Sequence, residues 1–127
     1  MEQKKILADI LAGLTPVQDF HIICLSMGPI NLFDMYAKPT YLLVAELNIF
    51  EMSSLAQMHK IGGVTGHYVL CSDQVVAKHR KANQKVGTGF IRSVNCLNRE
   101  INRDIDWIFT NHPWSLLPFI ESADSKN

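Results

Sequence analysis

Between Ile91 and Ile108, six apolar residues (Ile91, Val94, Leu97, Ile101, Ile105 and Ile108) advance in steps of three or four. That is the spacing of one face of an α-helix, and Arg92, Asn95, Arg99, Asn102 and Asp106 fall on the remainder of the turn. The pattern predicts a long amphipathic helix over about residues 90–110. Such a helix needs an apolar surface to lie on, so the rest of the chain has to supply one.

Three short apolar runs are candidates for that surface. Phe20 to Met27 stops at Gly28 and Pro29, Thr40 to Leu47 follows Pro39, and Val64 to Cys71 follows Gly62 and Gly63. Each is too short for a buried helix and reads as a strand. Helices are expected from Gln3 to Ala12, from Asn48 to about Gly62 with Glu51 in capping-box position, and from Ser72 through Lys85. Residues 30–39 fit either a short helix or an apolar loop. After Pro113 and Pro118 the segment from Trp114 to Ile120 reads as an extended packing strip. The expected fold is α+β: a small, about three-stranded sheet covered by helices, with the long helix at 90–110 closing it. One globular domain over residues 1–120, with a polar tail at 121–127, accounts for the whole chain.

Of the 127 residues, 47% are hydrophobic and 19% charged, which excludes a disordered chain and allows a core without disulfides. No apolar run reaches the roughly 20 residues that span a bilayer, and no secretory leader is read at the start, so the chain reads as cytoplasmic. Cys24, Cys71 and Cys96 form no close pair and are expected as reduced thiols.

The formal net charge is zero, but it is unevenly spread: residues 78–103 hold seven basic side chains and one acidic. Lys78, Arg80, Lys81, Lys85, Arg92 and Arg99 are therefore the candidate anion or nucleic-acid contacts. Two helices around Gly87-Thr88-Gly89 would suggest a helix-turn-helix, although Asp104 and Asp106 reverse the charge and no complete phosphate-loop fingerprint is present. The simpler reading of the same segment is a pair of solvated helices joined by a glycine turn.

Catalytic patterns are sparse. His59, His67 and Cys71 are the nearest metal-type grouping, but in a strand His67 and Cys71 stand roughly 13 Å apart, beyond one ion's reach. No metal or cofactor is expected. Cys71, with His67, is the one weak nucleophile candidate. Phe33, Met35, Tyr36 and Met52 belong to a soft, aromatic group that either lines an apolar pocket or fills the core. Trp114, Leu117 and Phe119 form a candidate interface, including one for a homodimer. The expected function is a non-enzymatic binding or regulatory domain for a protein or small apolar ligand. The alternatives are nucleic-acid binding through residues 78–103 and a small enzyme with a Cys/His site.

Overall fold

Strand and helix alternate along the chain in a computed structural model that describes residues 2–32 and 34–124. The order is α1 (Glu2–Ile10), β1 (Ile22–Cys24), α2 (Met27–Leu32), a 3-10 turn (Lys38–Thr40), β2 (Tyr41–Val44) and α3 (Ile49–Met58). It continues with β3 (Gly63–His67), α4 (Asp73–Lys81), β4 (Lys85–Gly89), α5 (Val94–Asn102), β5 (Trp107–Ile108) and α6 (Pro113–Asp124). The five strands lie side by side in sequence order, and every pair is parallel. Each parallel neighbour needs a crossover, and a helix supplies it. This is an α/β arrangement of the barrel type, and it corrects the expectation of an α+β fold with about three strands.

Two strands escaped the sequence pattern for identifiable reasons. Lys85–Gly89 looked like a turn because it contains Gly87-Thr88-Gly89, yet it lies paired between β3 and β5. A side chain at Gly87 would place its Cβ 2.8 Å from the Phe109 ring and 2.9 Å from Thr65 Cγ2, so the crowding across the sheet requires glycine there. β5 was hidden inside the long helical repeat. Phe90 and Asp104 adopt left-handed backbone (φ 65° and 54°), which confines α5 to Val94–Asn102. The 90–110 helix is thereby corrected to nine residues: Ile91 is buried in the loop before it, and Ile108 lies in β5.

The helix ends repeat. Lys60, Asn83 and Asp104 each sit two residues beyond α3, α4 and α5 with φ between 54° and 61°. In each case the next amide bonds back five residues: Ile61 to Ala56 O, Gln84 to His79 O, and Ile105 to Glu100 O. This is the Schellman closure, made three times without glycine. At the other ends, Ser72 Oγ accepts from Val75 N and Ser93 Oγ from Cys96 N. The expected cap at Asn48 differs, because its side chain accepts from Glu46 N before the helix begins.

One face of the sheet carries the main core. Tyr41, Leu43, Ala45, Val64 and Val86 pack there against Ile30 of α2, Met52 and Ala56 of α3, and Val75 and Val76 of α4. A second cluster joins Ile91, Leu97 of α5 and Leu116 of α6. The proline-interrupted C-terminal strip is helical, not extended: Pro113 opens α6, where its missing N–H costs nothing, and Pro118 lies inside it. The opposite sheet face bears Val44, Thr65, His67 and the row of small positions at Gly63, Gly87 and Gly89. His21, just before β1, meets Trp107 of β5 edge to face with ring centroids 5.3 Å apart. Those residues belong to opposite margins of the sheet, so their contact requires the sheet to roll into a trough, as the wall of a barrel does.

Candidate active site at the carboxyl ends of the strands

Parallel strands with helical crossovers place their loops in two sets, and ligand chemistry in such folds gathers at the carboxyl ends. There the trough opens into a cleft of about 370 Å³, bordered by Val44, Thr65, His67, Phe90, Phe109 and Asn111 among others. These residues come from the ends of β2, β3 and β4 and from the segment just after β5. The lining is mostly apolar, with Thr65, His67, Thr110 and Asn111 as its polar side chains.

His67 is held from several sides. Its ring stacks on Tyr68 at 4.7 Å and on Phe90 at 5.0 Å, measured between centroids. Nδ1 accepts the backbone N–H of Val69 at 3.1 Å. An accepting Nδ1 carries no proton, which is the tautomer with the proton on Nε2 as a donor. Thr110 Oγ1 donates to Ile91 O at 2.6 Å and accepts from His112 N at 3.0 Å, which fixes the segment that presents Asn111.

The loop between β3 and α4 is pinned by charge. Glu100 is fully buried on α5, and both its oxygens accept from Arg103 Nη1 at 3.0 and 2.9 Å. Arg103 Nη2 also donates to Cys71 O. Nε lies 2.9 Å from Asp73 Oδ1, an ion pair too bent to count as a hydrogen bond. A buried carboxylate without such a partner would be costly, so this arginine holds α5 and the His67 loop together.

Cys71 and His67 are four residues apart and linked through the backbone, but their side chains lie on opposite sides of the sheet. The Cys71 thiol belongs to the helix-side core, and burial pushes it up to about 11, with Arg103 acting weakly the other way. Burial likewise raises Cys24 and Cys96. None is poised as a thiolate. Among the described residues no group of three His, Cys, Asp or Glu side chains is placed to hold a metal ion; His59 caps α3 away from His67.

The basic segment is dispersed. Lys78 and Lys81 are exposed on α4, and Arg80 donates to the carbonyls of Arg103 and Asp104 at 3.2 and 2.9 Å, closing the end of α5. Lys85 opens β4 and Arg92 lies beyond its far end, and Arg99 pairs with Glu100 at 3.7 Å. With β4 between the two helices, there is no helix-turn-helix. Met52 is a core residue, and Tyr36 packs on the core while its amide and that of Met35 donate to Tyr41 Oη. Phe33 lies outside the described residues. Trp114, Leu117 and Phe119 are exposed on α6. Thr65, Phe90, Phe109 and Asn111 were not singled out from sequence; their signal is position at the exit of a strand, which needs the strands to be known first.

No protein-family model and no curated protein matches the sequence. A solved structure does. It comes from Agrobacterium tumefaciens and carries the provisional name glycerophosphoryl diester phosphodiesterase. The match has a TM-score of 0.71 at 13% identity, covering 94% of this chain and 52% of that one. At that identity the likeness is one of fold, and this chain spans about half the length of its neighbour. The expectation of a non-enzymatic binding or regulatory domain, with nucleic-acid binding as its alternative, is corrected by this result. It rested on globular patterning without a catalytic signature, whereas the fold found is shared with a protein named as an enzyme. No helix among the described residues is long and apolar enough to cross a membrane.

Proposed function

We propose that this chain carries the substrate seat of a barrel-type hydrolase that cleaves phosphodiesters of the glycerophosphoryl kind. The observation that carries the reading is the cleft at the carboxyl ends of the strands, where His67, with Nδ1 occupied and Nε2 left as the donor, borders the same space as Thr65 and Asn111. Neutral donors in an apolar, partly enclosed site suit a phosphoryl oxygen on which negative charge grows. The name of the structural neighbour supplies the reaction class.

In this reading His67 donates a hydrogen bond and keeps its proton. Acting as an acid would require an imidazolium protonated on Nδ1 as well, and the Val69 N–H already occupies that position. The stacked rings of Tyr68 and Phe90 hold the imidazole in one orientation, so little ordering is left to do when a ligand arrives. The seat therefore positions the diester and stabilises charge, and Glu46 is a carboxylate bordering the adjoining groove.

The test is a titration with glycerol phosphate, followed through the ring resonances of His67, beside an assay for alcohol release from glycerophosphoryl diesters. Saturable shifts are expected, with affinity falling about five- to tenfold in His67→Phe, which keeps the stacking and removes one donor. Unmoved His67 resonances up to tens of millimolar ligand, on the order of the weakest binding of interest, would sink the reading.

A further inference from the structure

The seat does not end at His67. Val44, Ala45, His67 and Phe90 border a second groove of about 610 Å³, which runs on over Leu47, Val69 and Leu70. Apart from His67, Glu46 is its one charged or ionisable border residue among the described residues. The loop after each of β1 to β4 also presents one exposed apolar side chain: Leu25, Leu47, Val69 and Phe90, between 58% and 89% exposed. Singly exposed apolar residues are ordinary, but three of these, Leu47, Val69 and Phe90, border the same groove and form a collar around it.

Resting on the reading of the seat given above, we infer that the site takes an amphiphile, a phosphate ester whose hydrocarbon chain lies in the groove along Leu47, Val69 and Leu70. The continuity of the two spaces is the argument for this occupant. A ligand held by its phosphoryl oxygens at His67 has one substituent directed past Phe90, and the surface it meets there offers dispersion and water release and few hydrogen bonds. A short polar substituent would leave that surface wet and gain nothing from it.

A series of n-alkyl phosphates from methyl to octyl, kept below micellar concentrations, tests this on the intact chain by calorimetry. Affinity is expected to rise about three- to fourfold per methylene over the middle of the series. In Leu47→Gln/Val69→Thr the slope should flatten, since neutral polar side chains remove apolar surface without repelling the phosphate; both residues are exposed, so the fold does not depend on them. Equal affinity along the series, with methyl phosphate bound, overturns the inference and leaves the seat standing. Failure of every member to bind overturns both. Octanol binding as tightly as octyl phosphate also overturns the inference, since the groove would then take hydrocarbon without a head group. So would tight binding to phosphatidylcholine vesicles with no chain-length slope, because the collar would then be a membrane contact.

Discussion

His79 shows how one buried side chain can be read to the level of its protons. It is fully buried on α4, with Nδ1 2.8 Å from Gln84 Oε1 and Nε2 2.6 Å from Ser53 Oγ. Gln84 Nε2 donates to Ala56 O and Ile61 O, so Oε1 is the acceptor and His79 Nδ1 holds the proton; Ser53 must then donate to Nε2. Burial lowers the His79 pKa below its ordinary 6.5, with the Gln84 bond opposing the shift and Lys78 adding to it. The unfolded chain therefore takes up this proton first. The stability the group contributes is complete above pH 6.5 and is lost as pH falls from there through the folded value. Urea melts between pH 7.5 and pH 5 should show stability falling more steeply in the wild type than in His79→Gln. Parallel slopes would refute the assignment. His21, also lowered by burial, contributes in the same direction to both proteins.

At the scale of elements, the three helix closures make a repeat that identity of residues conceals. Lysine, asparagine and aspartate occupy equivalent left-handed positions at 60, 83 and 104. Asparagine and aspartate tolerate that conformation, whereas lysine bears the steric cost of its Cβ, about 1 kcal/mol. Lys60→Gly is expected to relieve that cost and lose part of the gain to chain entropy, for a net stabilisation of roughly 0.5 kcal/mol read from the denaturation midpoint. Destabilisation by a similar amount would show that the lysine side chain itself contributes. The long helical period at 91–108 makes the converse point. Its central residues are one helix, but Ile91 is buried in the loop before it and the half-buried Ile108 lies in a strand, both packing in the cluster around Leu97.

For the whole molecule the deciding fact is that the trough has two margins. Among the described residues β1 pairs with β2 alone and β5 with β4 alone, and both are short. Local opening begins where few bonds hold a strand, so amide exchange should be slowest in β2, β3 and β4 and faster in β1 and β5. Protection at Ile23 or Ile108 equal to that at Val64 would show those margins paired in solution, contrary to this expectation.

The sequence alone determined much of the local structure: the helix begun by Ser72, the helix begun near Asn48, and the segments that hold three of the five strands. These follow from spacing, capping and breakers, which act within a few residues. Tertiary structure decided the rest. Whether Gly87 is a turn or a strand depends on Phe109 and Thr65 across the sheet, and parallel pairing depends on partners some twenty residues away. The site was legible in one member, His67, and for a different chemistry. Its companions Thr65, Phe90 and Asn111 share no motif, because a cleft at the ends of parallel strands takes a few residues from each unit and successive units lie some twenty residues apart in the chain.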